Sequence, residues 1–308
     1  MPLHPQAVAF LEAVADAPPL DTLTPEENRA GLAPVIPLSG DPRPMASVED
    51  RTIETATGPV SVRVYRPRAE PGMPVVAYFH GGGWVVGDLD SHDTTCRDLA
   101  GLADAAVVAV HFRRAPEHPF PAAYDDCVGV TRALLEDGAG LGVDPARVAV
   151  CGDSAGGNLA AVAALALRGV GSGLVHQALI YPVTDAAGVG ATGSYAAFGE
   201  GHFLTTGDMA YFVRSYAGST DPADPRLSPL RAPDLAGAAP ASVVVAACDP
   251  LRDEGHAYAD RLREAGVEAD LREFAGQVHP FVLLAGIVDD AVEARAWLAT
   301  RLRAAFGG

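Results

Sequence analysis

Apolar and polar positions follow two regimes along this chain. In TIETAT and VSVRVYR, on either side of Gly58-Pro59, apolar residues alternate with polar ones, which predicts an antiparallel hairpin over residues 51–66. Beyond it the apolar positions come in short continuous runs: PVVAYF, AAVVAVHF, RVAVC, LVHQALIYP and ASVVVAAC, with EADLREFA as the last strand signal. Between the runs lie helical segments near residues 91–103, 122–136, 158–167 and 252–265, and a closing helix near 286–305. Strands buried on both faces and separated by single helices imply right-handed crossovers. The expected fold is therefore α/β, a mostly parallel sheet of about eight strands with helices on both faces. Reactive groups in such sheets gather at the carboxyl ends of the strands.

The alternation fails in two places. Residues 1–45 hold only a short amphipathic pattern (Ala7, Phe10, Leu11, Val14) and a Pro-rich stretch. Residues 184–230 are rich in Gly, Pro and aromatics and carry no buried strand. The expected organisation is an N-terminal lid segment (1–45), a first part of the core (46–183), an insertion completing the lid (184–230) and the rest of the core (231–308).

The run at 147–151 turns into an Ala- and Leu-rich helix within a few residues, and Gly152-x-Ser154-x-Gly156 sits at the turn. So sharp a strand-to-helix turn strains the central residue and brings the positions two before and two after it together. Only glycine fits there. Ser154 is thereby expected at the tip, beside the N–H groups of a helix N-terminus that favour negative charge.

Composition narrows the chemistry. The formal charge of −17 and pI near 4.8 argue against nucleic acid or an anionic membrane surface as partner. All 22 basic residues are arginine. The absence of lysine excludes Schiff-base chemistry, a Ser–Lys dyad, a P-loop and a pyridoxal phosphate attachment site. Cys96, Cys127, Cys151 and Cys248 form no C-x-x-C pair and read as separate thiols, Cys151 and Cys248 buried at the ends of apolar runs. With no signal-like N-terminus and no stretch able to span a membrane, a soluble, cytoplasmic protein is expected.

A nucleophilic Ser154 needs a base, an acid that orients it and oxyanion donors. Asp249 follows the strand ASVVVAAC, and His279 follows LREFA. The order Ser, Asp, His is the one α/β-hydrolases use. After PVVAYF come His80 and a run of glycines whose backbone can approach a substrate and present N–H groups. Gly82, Gly83 and Ala155 are the expected oxyanion donors. Asp253 and His256, on the helix after Asp249, and His80 are weaker candidates for the acid and base.

HGGGW (80–84), GDSAGGN (152–158), DPLRDEG (249–255), RRAPEHPFPA (113–122) and GEGHFLT (199–205) together resemble the signatures of the bacterial hormone-sensitive-lipase-like carboxylesterases, family IV. The resemblance runs from about residue 45 to the C-terminus. It implies an α/β-hydrolase fold with a helical cap, and hydrolysis of short- to medium-chain carboxylic esters through an acyl-enzyme on Ser154. It also implies the triad Ser154, Asp249 and His279, and no metal or cofactor. Trp84, Glu200, Phe203 and Phe281 are the expected pocket residues, and a monomer or homodimer the expected state. One position departs: Pro280 stands where the family usually has glycine, which removes an N–H and restricts His279. An amidase or peptidase using the same triad is an alternative. So is a binding protein on this fold, as in the plant gibberellin receptors, although those lack the histidine present here.

Overall fold

A computed structural model describes residues 2–308. Its N-terminal segment carries α1 (Pro5–Ala13) and α2 (Pro25–Ala30), followed by the hairpin β1 (Ser47–Thr55) and β2 (Gly58–Arg66). The alternating part comprises β3 (Met73–Phe79), α3 (Asp93–Ala103), β4 (Ala106–Val110), α4 (Ala122–Asp137), β5 (Val143–Asp153), α5 (Ala155–Ala166) and β6 (His176–Ile180). Two helices, α6 (Gly193–Phe198) and α7 (Thr206–Ala217), occupy the interruption. The alternation resumes with β7 (Ala241–Ala246), α8 (Arg252–Glu264), β8 (Ala269–Phe274) and α9 (Asp289–Ala305).

The strands form one sheet in the order β1-β2-β4-β3-β5-β6-β7-β8. The β1–β2 and β2–β4 pairs are antiparallel and every later pair is parallel. The continuous apolar runs follow from this. In β3, Val75, Ala77 and Phe79 face one buried layer while Val76 and Tyr78 face the other. Each fully buried Val or Leu in these layers contributes about 1.5–3 kcal/mol by leaving water.

The N-terminal segment is fastened to the C-terminal loops. His4 N–H donates to the Gly276 carbonyl at 2.9 Å, and Gly286 N–H to the Leu38 carbonyl at 2.8 Å. Phe10 of α1 is buried in the same layer as Phe281 and α9.

The start of the interruption hangs on Glu254 of α8. Its Oε1 accepts the Thr184 N–H at 2.6 Å, its carbonyl accepts the Thr184 hydroxyl at 2.9 Å, and Oε2 has no partner. Burial pushes this carboxyl up to about 8, against the opposing backbone hydrogen bonds from Thr184 and Asp185. A folded-state pKa above the unfolded value gives a contribution that is complete below about pH 4.5 and is lost as pH rises through about 8. Glu254→Gln retains an acceptor for Thr184 and cannot ionise. In urea melts the wild type should lose on the order of a few kcal/mol more than this variant between pH 5 and pH 9. Equal slopes for the two proteins would refute the assignment.

Candidate active site

The site is built on the ends of β3, β5, β7 and β8. Between β5 and α5, Ser154 takes φ 56° and ψ −119°, a region L-residues rarely occupy. The conformation is held from several sides. Ser154 N–H donates to the Ile180 carbonyl at 2.8 Å, and the Ser154 carbonyl accepts the N–H of Asn158 at 3.0 Å and of Val183 at 3.2 Å. Asn158 Nδ2 donates to the Val183 and Leu227 carbonyls at 2.9 and 2.8 Å. A Cβ on Gly152 would overlap the Gly156 carbonyl, and one on Gly156 would overlap the Phe79 carbonyl. Both glycines are therefore dictated by the turn.

The glycine loop after β3 is anchored by Asp153, the residue before the serine. Its Oδ1 accepts the Tyr78 hydroxyl at 2.7 Å and the Gly81 N–H at 3.0 Å, and its Oδ2 lies 3.3 Å from His92 Nε2. Burial pushes the Asp153 carboxyl up, but His92, the Tyr78 hydrogen bond and His80 outweigh it and hold the group below its ordinary value. His80 is pushed down to about 3 by burial and by the neighbouring His92, so it is a neutral imidazole. Its Nδ1 donates to the Gly81 carbonyl at 2.9 Å and its ring stacks on Phe112 at 4.2 Å, which braces the loop. Gly82 and Gly83 have φ of 108° and 59°, and among the described residues their N–H groups meet no acceptor. Ala155 opens α5, where an N–H has no partner within the helix.

His279 and Asp249 come together: the Nδ1 of the one is 2.9 Å from the Oδ2 of the other, and Asp249 Oδ1 accepts the Leu251 N–H at 2.8 Å. Asp249 is fully buried and His279 nearly so, with the Tyr181 ring 4.5 Å from the imidazole. The His279–Pro280 peptide is cis, and Pro280 leaves this pair intact. No hydrogen bond among the described residues joins the Ser154 hydroxyl to His279. Both line one cavity, and in a resting enzyme such contacts are often long until substrate enters. The weaker candidates are engaged elsewhere. Asp253 accepts the Ser194 N–H at 2.8 Å, and His256 pairs with Glu273 at 2.8 Å.

The cavity, about 640 Å³, is also lined by Gly82, Gly83, Glu200 and Phe203. Trp84 and Phe281 do not line it. A positive φ of 60° turns Trp84 away, and its fully buried ring stacks on Tyr216 at 4.5 Å. Phe281 packs 5.1 Å from Phe274 below the loop that carries His279. In their place Phe10, Leu11, Val14 and Leu32 of the N-terminal segment and Phe212 of α7 form apolar walls. All four cysteines are buried and free. Among the described residues no group of three or more His, Cys, Asp or Glu is disposed to hold a metal, and no helix is long and apolar enough to cross a membrane.

Comparison with known proteins agrees with this architecture. The family described as alpha/beta hydrolase fold matches residues 76–283. Esterase LipI of Mycobacterium tuberculosis is 44% identical over 259 residues, 82% of this chain and 80% of that protein. The ethyl acetate hydrolase of Pseudomonas putida is 38% identical over 307 residues, 95% of this chain and 96% of its own. Among solved structures, the hyperthermophilic esterase from the archaeon Pyrobaculum calidifontis superposes with a TM-score of 0.93 at 38% identity, covering 99% of both chains. An ester hydrolase from the metagenome of Lake Arreo, complexed with a derivative of bipyridine phosphonate, gives 0.94 at 39% identity, covering 99% of this chain and 100% of the other.

Proposed function

Since this chain belongs to the alpha/beta hydrolase fold family, we propose that it is a serine carboxylesterase acting on short- to medium-chain esters. The observation that carries the reading is that His279, held by the buried Asp249, lines the same cavity as Ser154 and the unpartnered Gly82 and Gly83 amides. In this reading Ser154 Oγ bonds to the ester carbonyl carbon as its proton passes to His279 Nε2. Asp249 remains a carboxylate, holds the imidazole tautomer and stabilises the imidazolium. The carbonyl oxygen becomes an oxyanion facing the N–H groups of Gly82, Gly83 and Ala155. The alcohol departs with the proton from His279. Water, deprotonated by the same imidazole, then releases the acid and restores Ser154. The cap is assigned to residues 1–45 and 184–230, which supply the apolar walls.

The cavity also bears on the substrate. Among the described residues no arginine lines it, while Glu200 and Asp208 do, so a free carboxylate on the substrate would meet apolar walls and like charge. Ethyl hexanoate, monoethyl adipate and N-ethylhexanamide are matched in reach and differ in charge and scissile bond. The neutral ester should be cleaved best, with kcat/KM for the anionic ester lower by about tenfold or more and the amide slowest. Faster amide cleavage would sink the esterase reading. Equal rates on the two esters would sink the charge argument alone.

A further inference from the structure

The loop that carries the proposed oxyanion donors is a tight turn whose outer side needs support. Val85 and Val86 N–H groups donate back to the Gly82 carbonyl at 3.0 and 2.8 Å, and the Trp84 carbonyl accepts the Ala115 N–H at 2.9 Å. These bonds leave the carbonyls of Val85 and Ala115 facing outward, and both residues are fully buried. A buried carbonyl without a donor is costly.

The donor for both comes from outside the sheet. Arg29, on α2 of the N-terminal segment, donates from Nε to the Val85 carbonyl at 2.9 Å and from Nη2 to the Ala115 carbonyl at 3.1 Å. Its outer edge holds the exposed Glu117 through Nη1 and Nη2 at 2.8 and 2.7 Å, a bidentate pair on the solvent side of the guanidinium. One rigid fork thus bridges the glycine loop and the RRAPEHPFPA loop. The helix presenting it is itself fixed by a capping box between Thr24 and Glu27 and by Asn28 Nδ2 donating to the Leu20 carbonyl at 2.9 Å.

We propose that Arg29 is a positioning residue for the oxyanion loop: by saturating the Val85 and Ala115 carbonyls it keeps the Gly82 and Gly83 amides aimed into the cavity. Catalytic competence is thereby tied to docking of the N-terminal segment. The inference rests on the esterase reading. A surface ion pair that only fastened the segment would act through Glu117, whereas this role acts through the two carbonyls. Its loss reaches the transition state more than substrate binding, because an oxyanion exists only after attack.

The test is the kinetics of p-nitrophenyl butyrate hydrolysis by wild type, Arg29→Met, Arg29→Lys and Glu117→Gln. Circular dichroism and melting are to be measured on each. Turnover by the wild type is the condition set by the esterase reading, and its absence would fail that reading rather than this one. Arg29→Met keeps the apolar stem and should lose about tenfold or more in kcat with KM within about twofold. Arg29→Lys, which can serve one carbonyl but not fork, should recover part of that loss. Glu117→Gln, which leaves both carbonyl bonds in place, should stay within about threefold of wild type. A folded Arg29→Met with kcat within about twofold of wild type would overturn the proposal. So would a loss confined to KM, or a loss equally large in Glu117→Gln. Should Arg29→Met fail to fold, Arg29→Lys carries the test, with an unchanged kcat counting against the proposal.

Discussion

With alanine in place of Ser154, ester hydrolysis should fall by roughly 10⁵–10⁶ in kcat while the fold is retained. The Ser154 hydroxyl makes no hydrogen bond within the described residues, so its removal leaves no buried group unpaired. The φ of 56° is adopted by a residue that already carries a Cβ, and alanine adds no clash. The backbone bonds that hold the turn, to Ile180, Asn158 and Val183, do not involve the side chain. What disappears is the atom that would bond to carbon, and the proposed oxyanion donors acting on water alone would replace little of it. Melting temperature and kcat measured on one preparation check both halves. Residual turnover above about one per cent of wild type in a folded variant would remove Ser154 from the mechanism.

The second large effect is expected at Gly82, from geometry alone. Its φ of 108° lies outside the range alanine adopts without strain, and a Cβ there would overlap the Val86 carbonyl and side chain. The turn must therefore open, and the Gly82 and Gly83 amides move with it. Losing one oxyanion donor costs about 2.7–4 kcal/mol, so Gly82→Ala should lower kcat by roughly 10²–10³ and change KM little. Gly72→Ala serves as the control for backbone strain. Gly72 also has a positive φ, of 75°, but a Cβ there meets nothing within 4 Å, and kcat should be retained. A Gly82→Ala enzyme within about threefold of wild type would mean that this loop does not supply the oxyanion donors.

The sheet was legible because each strand carries its own burial signal. The 51–66 alternation becomes β1 and β2, half-buried at the edge, and the continuous runs become the parallel strands packed on both faces. The triad candidates were legible for the same reason, since each follows a recognisable strand end. Side-chain direction was less so. Trp84 is next to the glycines in sequence, yet its left-handed backbone sends the ring under α7 to Tyr216. Phe281 follows the His279–Pro280 pair but turns into the layer beneath.

Two further features depend on contacts across more than 50 residues, which no local pattern displays. Asp153 anchors the glycine loop only because β3 lies beside β5 and brings Tyr78 and Gly81 to it. Arg29 reaches Val85 and Glu117 from a segment whose own sequence shows little more than a cap signal, Thr24-x-x-Glu27. The helix α7 did carry a signal: Thr205 and Asp208 form a capping box ahead of Met209, Phe212, Val213 and Tyr216 at helical spacing. The surrounding glycines and prolines masked it.

Attack by Ser154 on an electrophilic centre placed in this cavity is the core of the proposed mechanism. It is tested most directly by a p-nitrophenyl alkylphosphonate, which such a serine should displace and then retain. Stoichiometric release of p-nitrophenolate is expected, with a matching gain in intact mass confined to the tryptic peptide 148–168. Ser154→Ala should show neither. Label on any other residue, or unchanged labelling of Ser154→Ala, would rule out Ser154 as the nucleophile.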